Sequence, residues 1–163
     1  MAFVKNTYQQ LSFYDAMDRL SERERKIFEK SWAKPFGDEI FPMIDEEAFA
    51  GLYSEKVSRP NTPVNIVVGA ILLARFLGLS DDEMIEAVIF DVRFQYALHT
   101  TGYTEQPFST NTFRRFRARN EEYRDRTGKD PLEECLKQLE EKMAESESPR
   151  LRALLRRVSC QKD

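Results

Sequence analysis

The segment Ser109 to Arg119 reads STNTFRRFRAR and concentrates the side chains best suited to chemistry in this chain. At about 100° per residue, turning Phe113 and Phe116 inward places Asn111, Arg114, Arg115 and Ala118 outward, with Arg119 on one flank and Arg117 near the core edge. Arginine grips O6 and N7 of guanine with two hydrogen bonds, asparagine does the same for N6 and N7 of adenine, and alanine lets a helix approach base edges closely. Ser109, Thr110 and the free N–H groups at the helix start suit a backbone phosphate. Arg117 is set apart as structural, paired with a carboxylate such as Asp91.

A segment of this kind needs a favourable local field, which the total charge of −3 conceals. Residues 1–58 hold 8 basic and 11 acidic side chains, and residues 59–108 hold 3 and 6. Residues 109–129 reverse the sign with 7 basic and 3 acidic, and residues 130–163 carry 7 and 8. Attraction to phosphate decays over about 10 Å at moderate salt, so the local patch decides it rather than the sum.

The elements that hold this segment are expected to be helical throughout. Ser21 and Glu24 can form a capping box, opening a helix to about Trp32. Lys34-Pro35-Phe36-Gly37 breaks the pattern, and a short helix covers about 45–53. Thr62 as N-cap and Pro63 at the first helical position open a helix to Leu77, with Gly78 in the left-handed conformation behind it. Ser80 and Glu83 form a second capping box at once, with Leu79 and Met84 positioned for a hydrophobic staple. That helix runs to about Phe90, and a further piece covers Val92 to Leu98. Ser109 caps a helix from Thr110 to about Tyr123, with Phe113, Phe116, Asn120 and Tyr123 inward, and Thr127-Gly128 ends it. Asp130-Pro131 opens a long helix with a stripe of Leu132, Cys135, Leu136, Leu139 and Met143, and Ser148-Pro149 separates a basic helix from Arg150 to Val158.

Other chemistries find less support. Ala74, Gly78 and Met84 match the helix-turn-helix spacing of repressors whose second helix enters the groove, but Asp81, Asp82, Glu83, Glu86 and Asp91 would then face phosphates. This pair therefore reads as scaffold for the later basic helix. Of these, Asp81, Asp82 and Glu83 form the one acidic cluster near a turn, and capping explains them better than a two-metal nuclease does. His99 sits in an apolar setting and reads as a packed, hydrogen-bonded residue. Cys135 and Cys160 lack metal-ligand spacing, no phosphate-loop or nucleotide fingerprint occurs, and no cofactor or metal is expected. The longest apolar run, Ile66 to Leu79, is interrupted by Gly69, Arg75 and Gly78, so neither a leader nor a membrane span is expected.

The order of these features resembles a known family. Ile44-Asp45, Phe49 and Leu52-Tyr53 come first, followed by Arg59-Pro60-Asn-Thr-Pro63 and then Leu77-Gly78-Leu79-Ser80-Asp81-Asp82-Glu83. Last comes Pro107-Phe108-Ser-Thr-Asn-Thr-Phe113-Arg114-Arg115-Phe116-Arg117. Over residues 40–120 the run is similar to the N-terminal domain of bacterial insertion-sequence transposases of the IS1182 and IS5 type. The resemblance implies a helical domain that binds the terminal inverted repeats of the element. It also implies a following DDE catalytic domain, for which residues 1–163 hold no strand-rich half, so no catalytic activity is expected of this chain.

The expected fold is an all-α multi-helix bundle containing a helix-turn-helix-like DNA-binding unit. Residues 1–58 are read as an N-terminal helical segment, 59–129 as the DNA-binding core, and 130–163 as an amphipathic helix with a basic tail. Double-stranded DNA at transposon ends is the expected partner, contacted by Arg59, Ser109, Thr110, Asn111, Arg114, Arg115 and Arg119. The alternative is a regulatory module that forms a homodimer or pairs with full-length transposase through the C-terminal stripe. Either implies a cytoplasmic, nucleoid-associated location.

Overall fold

A computed structural model describes residues 2–6, 15–53, 61–107 and 109–160, and of residues 158–160 the backbone alone. The described residues form an all-α fold without a β-strand: α1 (Glu22–Glu29), α2 (Ala33–Pro35), α3 (Val64–Leu77), α4 (Asp81–Phe90), α5 (Val92–Ala97), α6 (Thr110–Thr127), α7 (Pro131–Glu145) and α8 (Pro149–Cys160). The centre is α3. From Ile66 to Ala74 every residue is buried, because α8, α6, α7, α4 and a 3₁₀ turn over Glu46–Leu52 pack around it. A helix apolar on all sides is what such a central position demands. No single helix among the described residues is long and apolar enough to cross a membrane.

Local chemistry sets most boundaries. In α1, Ser21 and Glu24 close the expected box, the Ser21 N–H donating to Glu24 Oε2 at 2.7 Å and the Glu24 N–H to Ser21 Oγ at 3.3 Å. The same exchange joins Ser80 and Glu83 at 2.7 and 3.2 Å and starts α4. Between α3 and α4, Gly78 takes φ 66°, a conformation that glycine reaches without a Cβ clash, and the chain bends by 108°. Met84 is fully buried and Leu79 packs against the core, as a staple requires.

Three expectations are corrected. Pro63 rather than Thr62 occupies the cap of α3, with an extended ψ of 122°, and Val64 is the first helical residue. The segment after α1 does not break at Pro35. It continues from α2 into a π turn over Phe36–Ile40 and a 3₁₀ turn over Phe41–Met43. Pro35 lies in the first turn after Trp32, where no helical partner needs its missing N–H. Buried Gly37 lets this turn lie against Tyr96: a Cβ there would fall 3.0 Å from its ring and its carbonyl oxygen. Lastly, α6 runs a full turn beyond Tyr123, to Thr127, before Gly128 ends it at φ 75°.

The joint between α6 and α7 fixes how α6 is held. Asn120 is buried, donates from Nδ2 to Asp130 Oδ1 at 2.7 Å and accepts the Leu132 N–H at 3.1 Å. Asp130 is the N-cap of α7, accepting the Glu133 N–H at 3.0 Å, and Pro131 fills the first helical position. Burial pushes the Asp130 carboxyl up, but Asn120, the Glu133 N–H and the Arg124 guanidinium together hold it below the ordinary value. A carboxyl lowered in the folded state contributes stability above its unfolded pKa, and that stability is lost as pH falls through the folded value. The urea midpoint of wild type is therefore expected to exceed that of Asp130→Asn at pH 7, and the gap to narrow as pH falls below the ordinary carboxylate range.

Candidate nucleic-acid interface

The stripe along α6 comprises Phe113, Phe116 and Asn120, buried against α3, α4 and the Glu46–Leu52 turn, with Tyr123 half-buried at its end. Phe49 from that turn meets Phe116 at 5.7 Å between ring centroids. With the inward face fixed, Asn111, Arg114, Arg115 and Ala118 stand exposed on the opposite face.

The helix start is built from backbone and side chain together. Ser109 has an extended backbone, its N–H donates to Thr112 Oγ1 at 3.1 Å, and its carbonyl accepts the Thr112 N–H at 2.8 Å. Arg114 Nη2 donates to Asn111 Oδ1 at 2.9 Å, tying the two exposed polar groups into one surface. Among the described residues no carboxylate lies within ion-pair distance of Arg114 or Arg115, whereas Arg75, Arg93, Arg117 and Arg124 each have one. Arg114 and Arg115 thus stand on the outward face without an ion-pair partner among the described residues.

The acidic start of α4 is the clamp that sets this face outward. Arg117 makes two hydrogen bonds to Asp81, at 2.6 and 2.8 Å, and its guanidinium lies 5.8 Å from the Phe113 ring. The expected partner, Asp91, instead binds Arg93, two residues along its own helix start. Thr110 donates its hydroxyl to Asp82 Oδ1 at 2.7 Å. Of the acidic cluster, only Glu83 serves as a cap, while Asp81 and Asp82 hold α6.

Arg119 stacks over the Tyr53 ring, its guanidinium 5.2 Å from the centroid. Burial pushes the Tyr53 phenol above its ordinary pKa, against the pull of that guanidinium. Arg59 lies outside the described residues. Thus Ser109, Thr110, Asn111, Arg114, Arg115 and Arg119 share one helix, with Asn111, Arg114 and Arg115 together on its open face and Thr110 and Arg119 engaged at opposite edges. Thr112, Tyr53 and Thr62 border this face beside Arg115 and Arg119 and were not anticipated. Thr112 is legible on the helical wheel, three and seven residues before the two arginines; Tyr53 and Thr62 arrive only through tertiary packing.

Elsewhere, His99 Nε2 lies 2.7 Å from the Gly37 carbonyl oxygen, with its ring 4.5 Å from that of Phe41. The residue is exposed overall and adopts φ 56°, so it is hydrogen-bonded as expected but less enclosed. Cys135 is buried, its thiol pushed up to about 11 by burial with Asp45 adding to the effect. Among the described residues no group of three or more His, Cys, Asp or Glu converges as a metal site would require.

The chain belongs to the transposase domain family DUF772, whose model matches residues 10–119. The match begins well before residue 40, where the sequence resemblance starts, and ends at Arg119, so it includes the basic half of α6. No curated protein and no solved structure matches the chain.

Proposed function

We infer that this transposase domain binds duplex DNA sequence-specifically at transposon ends, through a helix-turn-helix-like unit in which α3 and α4 brace α6 in the major groove. The observation that carries this reading is the exposed Asn111, Arg114 and Arg115 face, whose two guanidiniums have no ion-pair partner while neighbouring arginines do. Unpaired guanidiniums beside an asparagine and a small alanine supply the hydrogen-bond pattern that distinguishes guanine and adenine in the major groove. The Arg117–Asp81 pair gives the helix a fixed roll, which base reading requires more than phosphate binding does.

A module that pairs with another transposase through the C-terminal stripe would need a face already in use. Cys135, Leu136, Leu139 and Met143 lie in the domain's own core, with Leu151 and Leu154 of α8.

Selection of binders from a pool of random duplexes tests the reading. The expected result is one enriched motif of a few base pairs, containing the guanine and adenine steps that Arg114, Arg115 and Asn111 would read. Recovery of an unenriched pool at moderate salt would remove sequence-specific recognition from the domain.

A further inference from the structure

Beside the exposed face of α6 lies a cleft of about 30 Å³, walled by Tyr53, Thr62, Thr112, Arg115 and Arg119 over a floor that includes Phe116. About 10–15 Å³ of such space holds one water-sized atom, so the cleft accepts about two. That suits the two non-bridging oxygens of a phosphodiester. Among the described residues, its walls carry two guanidiniums and three hydroxyls and no carboxylate.

The two flanks of α6 differ in sign. On the α4 side, Asp81 and Asp82 face the helix, and Asp82 is met by a threonine hydroxyl rather than by a cation. A duplex strand passing there would meet a negative charge. On the other flank, Thr112, Arg115 and Arg119 follow one another along the helix at spacings of three and four, toward Tyr53 and Thr62. Arg119 is oriented over the Tyr53 ring, its guanidinium 5.2 Å from the centroid. The phenol retains its proton, because burial raises it, and so remains a donor.

We propose that this cleft seats one backbone phosphate of a bound duplex. Arg119 supplies the charge, Tyr53, Thr62 and Thr112 the hydroxyl donors, and Arg115 the rim toward the bases. The seat fixes the direction in which the duplex lies across α6, with its backbone on the Tyr53 side and away from α4. It rests on the reading of α6 as a duplex-binding helix, but the chemistry of the cleft can be probed without DNA.

The experiment has two arms on the full chain. In the first, inorganic phosphate is titrated into ¹⁵N-labelled protein. The expected result is a saturable shift of the Thr112 amide and the Arg119 Nε–H, reduced in Thr62→Val and in Tyr53→Phe, which keeps the ring beneath Arg119. Shifts confined to Ser109–Asn111 or to α8 would overturn the seat. In the second arm, Arg119→Ala is expected to weaken binding about tenfold at 0.1 M salt on selected and unrelated duplexes alike, and to lower the salt slope by about one. An unchanged slope with altered preference at one base pair would overturn the seat and leave the DNA reading standing. A phosphate response in the cleft of a chain that binds no duplex would support the seat and sink the DNA reading.

Discussion

Replacing Phe116 by alanine is expected to cost about 3–5 kcal/mol of folding stability, the range for a buried phenylalanine that leaves a cavity behind. Phe116 is 2% exposed and meets Phe49 at 5.7 Å, in the layer where α6 lies on α3 and the Glu46–Leu52 turn. The cavity would open under the middle of α6. Collapse into it is restrained, because Arg117–Asp81 pins the helix on one side and Asn120–Asp130 pins it one turn further along. Little relaxation places the cost toward the upper end of the range. Urea unfolding followed by circular dichroism measures it directly. A loss under about 1 kcal/mol would mean that α6 is not seated on the core through this face, and the outward assignment of Arg114 and Arg115 would fail with it.

How far the sequence could be read follows from how local each determinant is. The capping boxes at Ser21 and Ser80, the left-handed Gly78, the helix stop at Thr127-Gly128 and the Asp130-Pro131 start of α7 are decided within four residues, and each forms as its spacing predicts. The inward stripe of α6 is legible for the same reason, since Phe113, Phe116 and Asn120 follow helical spacing and are all buried. The stretch from Ala33 to Met43 was not legible. Its proline and glycine signal a break, but contacts from Tyr96 and the burial of Phe36, Ile40 and Phe41 sustain a continuous run of irregular turns.

Pairing across the fold was equally hidden. Both Asp81 and Asp91 are candidate partners for Arg117 by charge alone, and the packing of α4 on α6 selects Asp81. Tyr53 and Thr62 reach the edge of α6 from segments that the sequence leaves far apart. The face itself was readable from one helix, whereas its border depends on which other elements arrive beside it.

The second large effect falls on binding rather than stability. Replacing Arg114 and Arg115 together by alanine is expected to weaken binding to a selected duplex by about 2–5 kcal/mol, roughly 30- to 4,000-fold in Kd. A single bidentate guanine contact contributes about 1–3 kcal/mol. The two losses need not add, because both arginines face one groove and Arg114 also orients Asn111 through the 2.9 Å bond. Substituting Arg114 alone is therefore expected to blur the base read by Asn111 as well as its own. Both side chains are exposed, so folding stability should change by no more than about 0.5 kcal/mol.

The measurement that tests the DNA-reading role of α6 most directly is a paired titration of wild type and Arg114→Ala/Arg115→Ala on a selected and an unrelated duplex at one salt concentration. An α6 that reads bases predicts that the double variant loses most of its preference for the selected duplex while keeping its fold. Equal affinity of the two proteins for the selected duplex would contradict it.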